Sequence, residues 1–153
     1  MFLAAAGLVQ AAAAGPDVAG APTLTPSERS LLAAVNGARA SQGLRALRVD
    51  PALQRVARAH SGTLLRTGQF THGDMARRVS GSGARGPAFG ENLAWGTGPY
   101  ARAQAIVNSW MRSPGHRANL LRSGWTRIGI GAVEGTFRGF AGATMVTADF
   151  AGT

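Results

Sequence analysis

Cysteine and lysine are both missing from this 153-residue chain, and tyrosine occurs once. Without cysteine there is no disulfide framework, no thiolate zinc site and no cysteine nucleophile. Without lysine, all sixteen basic residues are arginine, and against seven acids they leave a formal charge of +9. Only 15% of residues are charged while 45% are apolar, so a core can be filled and the composition argues against wholesale disorder. The length suits one domain and not two. No apolar run reaches the about 20 residues that a bilayer-spanning helix requires. Short-range metal motifs are absent as well: there is no HExxH and no histidine pair at i, i+4. No serine sits in a GxSxG-like elbow.

The arginines are spread from Arg29 to Arg138, and Arg77–Arg78 is the one adjacent pair. A nucleic-acid-binding domain concentrates its cations on one face or tail, often beside stacking aromatics. That pattern is missing, so no nucleic-acid partner is expected. Long-range attraction to an anionic surface, such as lipid headgroups or envelope polymers, suits the charge better.

Met1–Ala14 (MFLAAAGLVQAAAA) reads as the apolar region and small-residue end of a secretory leader, although no basic residue precedes Arg29. Gly15–Leu24 reads as a linker, and the single domain is expected over 25–153, secreted or periplasmic. Thr25-Pro26-Ser27-Glu28 is a capping box with proline at the first helical position. It opens a helix that turns Leu31, Leu32, Val35 and Ala38 inward and stops at Gly43. Asp50-Pro51 opens a second helix with an apolar stripe through Leu53, Val56, Ala57, His60 and Leu64, closed by Gly68. Ser80–Pro87 reads as a loop and Tyr100–Met111 as a third helix. Ser113-Pro114 ends that helix and caps a short turn through Leu121. Arg127–Val133 and Met145–Phe150 read as strands, with a turn expected at Glu134-Gly135 and no assignment for Phe137–Gly142. Helices first and strands late predict an α+β fold rather than βαβ units.

Three chemically capable side chains stand far apart: His72 in QFTH, Glu91 in GENLA and His116 in SPGHRANLL, each read as lying in a loop. The segments FTH, GENLAWG, SWMRSPGHRANLL and IGIG, in that order, resemble the signature segments of the CAP superfamily. The superfamily is also known by the SCP or pathogenesis-related-1 domain of the cysteine-rich secretory proteins, and the likeness is to its short, cysteine-free bacterial members. The likeness runs from about Ser27 to Phe150. It implies an α-β-α sandwich, with a small antiparallel sheet between helical layers. Members gather two histidines and two glutamates in an open cavity, and some hold a divalent cation such as zinc through the histidines. The matching positions are His72, Glu91 and His116, which the resemblance offers as metal ligands or, in a hydrolase, as catalytic groups. The second glutamate of the family set falls at or near Ser113, so one carboxylate is missing. Asn92 is expected to tie down its loop and His60 to support the same cavity. Trp95 and Trp110 are expected in its wall and in the core, and Asn119 beside His116. Asp149 is left either exposed or paired with an arginine. The resemblance favours a binding module for an anionic cell-envelope component, a lipid or a small ligand. A metal-assisted or His/Glu-dependent hydrolase is the alternative.

Overall fold

The computed structural model describes residues 23–153; the leader expected at 1–14 and most of the linker lie outside them. Helix α1 (Pro26–Ala40) starts on the expected capping box: Thr25 accepts from the Glu28 N–H, and the Glu28 carboxylate accepts from the Thr25 N–H. Strand β1 is two residues long (Arg48–Val49), and α2 (Pro51–Thr67) follows at once, capped by Asp50 and ended by a left-handed Gly68. Then come α3 (Met75–Ser80), β2 (Ala88–Thr97), a 3₁₀ turn (Gly98–Ala101), α4 (Ala103–Arg112), α5 (Pro114–Leu120), β3 (Trp125–Phe137) and β4 (Phe140–Gly152).

The strands form one sheet in the order β1-β3-β4-β2, antiparallel except for the parallel pairing of β1 with β3. Helix α2 covers one face, while α1, α4 and α5 cover the other. This is the expected α+β sandwich. The alternation Ile128-Gly129-Ile130-Gly131 shows how the layers are spaced. Ile128 and Ile130 enter the core shared with Leu31, Val35, Ile106 and Trp110. Gly129 and Gly131 face α2, and a Cβ on either would fall inside 3.0 Å of the helix backbone, at Leu53 and Ala57 respectively. The helix therefore rides directly on the sheet. Gln54 clamps it there, its amide oxygen accepting from the Ile130 N–H at 2.9 Å and its amide nitrogen donating to the Ile130 carbonyl. Ser61 donates to the Gly131 carbonyl, and its hydroxyl also meets that of Thr147.

Three expectations need correction. The hairpin does not turn at Glu134-Gly135, which continue β3; it turns at Arg138–Gly139, with φ of 49° and 86°. Two consecutive positive φ values match the twist of the flanking strands, and Phe137 and Phe140–Gly142 become strand. Ser80–Pro87 begins one residue inside α3, a helix capped by the Asp74 carboxylate and not anticipated. The GENLAWG segment is not a loop: it forms most of β2, which pairs with β4 over ten consecutive residues.

Candidate functional site

Because β2 is the outermost strand, its residues reach both sides of the sheet at an open edge. Side chains alternate along a strand. Glu91 accordingly turns towards α2 and Asn92 towards α5. The site is built around this edge. A hollow of about 380 Å³ is lined by His72, Glu91, Asn92, Ser113, Gly115, His116 and Asn119, so residues far apart in sequence meet there.

His72 arrives from the segment between α2 and α3, and its Nδ1 lies 2.7 Å from Glu91 Oε1. A carboxylate only accepts, so Nδ1 carries the proton and a neutral ring leaves its Nε2 lone pair free. The other Glu91 oxygen accepts from Arg78 of α3, whose guanidinium also donates to the His72 carbonyl at 2.9 Å. Glu91 is 7% exposed, so this pairing compensates a buried charge. His116 is held at the start of α5 by Nδ1 to Ser113 Oγ at 2.8 Å. Burial, and then the neighbouring His72, hold its pKa below the ordinary imidazole value. Asn92 donates to the His116 carbonyl and accepts from Asn119 Nδ2, both at 3.0 Å; the indole of Trp125 donates to the Asn119 carbonyl. Asn92 thus ties α5 to the strand rather than tying down a loop of its own. Gly90 makes room for this network, since a Cβ there would strike the Asn119 side chain.

His60 is buried behind the site, on the α2 side. Its Nε2 donates to the Thr71 carbonyl at 3.1 Å and stands 3.9 Å from Glu91 Oε2. Burial, ahead of every other influence, pushes its pKa down. Trp110 is core, its indole N–H donating to the Leu93 carbonyl, and Trp95 packs edge-on against Phe137.

Two residues escape the sequence reasoning. Arg78 is, along the chain, just one of a dispersed basic set. Asp149, whose surroundings the sequence leaves open, is fully buried directly across the ladder from Glu91. Neither of its oxygens finds a hydrogen-bond donor among the described residues. Burial first, and then the Glu91 charge and the hydrogen bond between the two carboxyl groups, push its pKa up to about 8. That shift favours the protonated acid at neutral pH, and a second carboxyl group stands across the ladder from Glu91 although none stands at Ser113. The signal is available only through the β2–β4 register.

Both imidazoles engage Nδ1 with a neighbour. With the proton on Nδ1, as the Glu91 carboxylate requires of His72 and as the Ser113 hydroxyl can accept from His116, Nε2 keeps a lone pair. This is the arrangement of metal-binding histidines oriented by an outer partner. Both Glu91 oxygens are engaged, which suits an orienting role. Among the described residues no three His, Asp or Glu side chains are grouped as a metal cluster. A cation here would have two protein ligands, completed by water.

This combination of helices on both faces of a small sheet, with histidines and an acid at its edge, defines a class of domain. The chain belongs to the cysteine-rich secretory protein family, CAP, whose model matches residues 32–150. It is 33% identical over 112 residues to the Bacillus subtilis protein YkwD, the match covering 70% of this chain and 42% of that one. A B. subtilis membrane protein, YlbC, is 32% identical over 112 residues, covering 70% of this chain. This chain spans only 32% of that relative, so both are considerably longer. Among solved structures, an extracellular SCP-domain protein from Bacillus anthracis matches with a TM-score of 0.70 at 23% identity. That match covers 87% of this chain and 45% of the other. An outer surface protein of Borrelia burgdorferi matches with a TM-score of 0.69 at 20% identity, covering 82% of this chain and 92% of that one. These likenesses establish the fold.

Proposed function

We propose that the chain is an extracellular binding module whose edge hollow takes a divalent cation, zinc serving as the probe, through Nε2 of His72 and His116. The observation that carries this reading is the pair of ring nitrogens left open on one hollow while Glu91 and Ser113 hold the opposite nitrogens. Export is supported by the leader-like Met1–Ala14 and by relatives described as an extracellular and an outer surface protein. Among the described residues no helix is long and apolar enough to cross a membrane. An anionic envelope component fits the charge of +9.

Binding is favoured over hydrolysis because Glu91, the natural general base, has one oxygen on His72 and the other on Arg78. A base must reach the proton that it abstracts. Calorimetric titration with zinc at neutral pH tests the proposal. Heat is expected from the wild type and should be lost in His72→Ala and in His116→Ala. No heat from the wild type, or unchanged heat from either variant, refutes it. Peptide or ester turnover that disappears in Glu91→Gln would replace this reading with the hydrolase.

A further inference from the structure

A second hollow, of about 500 Å³, lies beyond the histidines and uses none of them. Its floor is four consecutive β2 residues, Ala94 to Thr97; its walls are Tyr100 of the 3₁₀ turn and the α4 face that carries Ala105, Ile106, Asn108, Ser109 and Arg112. Consecutive strand side chains point to opposite faces, so a hollow touching four in succession runs along the strand's edge. Among the described residues that edge has no partner strand, because β2 pairs with β4 alone. Among the described residues, the backbone of Ala94, Trp95 and Gly96 makes no hydrogen bond outside this ladder. In an antiparallel pair every second residue turns its N–H and C=O away from the partner, and an unpaired row of this kind is a template for another strand. The groove wall is fixed in place. Gly96 lies so close under the Tyr100 carbonyl that even a Cβ would collide with it.

The charge chooses the occupant. Among the described residues no acidic side chain lines the groove, and the exposed Arg112 side chain at its end makes no ion pair or hydrogen bond. We infer that this groove binds an extended peptide, added as a fifth strand along Ala94–Thr97, with an acidic side chain set against Arg112. Four residues at ~3.3 Å each span roughly 13 Å of edge, and recognition divides in the usual way, backbone pairing supplying affinity and flanking side chains supplying selectivity. A second copy of this chain is disfavoured, because edge-to-edge pairing would bring together two chains of net charge +9 and set Arg112 of each near the shared edge. An acyl chain would leave the strand's polar groups unpaired.

The experiment is fluorescence anisotropy in chelator-containing buffer, which separates this site from any cation at the histidines. The probe is a fluorescein-labelled Thr-Val-Thr-Val-Glu-Glu peptide. Saturable binding is expected, weakened at least tenfold in Arg112→Glu and unchanged in His116→Ala. It should also be lost when alternate peptide nitrogens are methylated. Amide hydrogen exchange at residues 94–97 should slow on adding the plain peptide, and this readout stands even if Arg112→Glu were poorly folded. The proposal is overturned by any of four results: no saturable binding, equal binding of the methylated peptide, unchanged exchange at 94–97, or an edge already protected in a dimer of the chain alone. Displacement of the peptide by dodecanoate, with equal affinity for the methylated form, would make the groove an acyl site instead.

Discussion

Substituting Gly131 by alanine tests the physical basis of the sandwich most directly. In an ordinary strand interior this change is favourable by roughly 0.5–1 kcal/mol, because glycine loses more backbone freedom on folding. Here the added methyl would fall inside 3.0 Å of Ala57 O and C and of Arg58 N, all backbone atoms that cannot rotate away. Helix α2 must retreat, and overpacking of this kind costs about 1–3 kcal/mol. Retreat also pulls Ser61 from the Gly131 carbonyl and Gln54 from Ile130, each a buried bond. A buried polar group left unpaired costs about 1–3 kcal/mol, so with the glycine gain subtracted a net loss of roughly 1–5 kcal/mol is expected. Gly135, on the same strand, supplies the control. A Cβ there meets only the Leu65 side-chain tip at 3.3 Å, and neither glycine has positive φ. Gly135→Ala should change stability by no more than about 1 kcal/mol in either direction, the glycine gain being set against a small shift of the flexible Leu65 tip. Urea unfolding followed by circular dichroism reads both. If Gly131→Ala costs under about 1 kcal/mol, or matches Gly135→Ala, the direct seating of α2 on the sheet is not what sets the spacing.

Further outcomes follow from buried polar groups. Arg39 is wholly buried without an acidic partner among the described residues and donates to the carbonyls of Arg45, Leu120, Arg122 and Trp125. Arg39→Met should cost about 2–5 kcal/mol by stranding the buried Leu120 and Trp125 carbonyls, and a loss below about 1 kcal/mol in urea would refute that role. Asp149 keeps a proton up to about pH 8 in the fold, against an ordinary value of 3.8. The folded state therefore binds more protons than the unfolded chain between those values, and this residue makes stability fall by about 1.4 kcal/mol per pH unit over roughly pH 5–7. Asp149→Asn should flatten that slope, so its advantage over wild type grows with pH; parallel profiles would show that the carboxyl is already ionised. At Glu28 the sign is reversed. Burial opposes its charge, but Arg58 and the Thr25 N–H outweigh burial and hold the pKa below its ordinary value. The stability it lends is complete above the unfolded carboxyl value near 4.5 and is lost as pH falls through the lower folded one. Arg58→Ala should remove part of this acid-range dependence.

Local chemistry wrote much of the fold plainly. The Thr25 and Asp50 caps and the left-handed Gly68 bound helices where their side chains and φ angles require it. The Ile/Gly alternation of β3 likewise reflects two faces with different neighbours. Each of these depends on residues within a few positions of one another, which is why they can be read without coordinates. β2 cannot be read so. GENLAWG mixes glycine, acid and amide with apolar residues, and only ten ladder pairs to β4 make it extended. The hairpin turn is displaced for a related reason: Glu134-Gly135 and Arg138–Gly139 are both X-Gly dipeptides, and strand register decides between them.

At the site, residue chemistry and motif order name His72, Glu91 and His116 as candidates before any fold is known. Tertiary structure decides what each does there, because roles depend on which atoms are already engaged. Arg78 occupies one oxygen of Glu91 through a contact thirteen residues apart, and Asp149 meets Glu91 through a strand pairing fifty-eight residues apart. A chain can display its ionisable groups in its sequence, but burial and partners set their charge, and both exist only after long-range packing has excluded water.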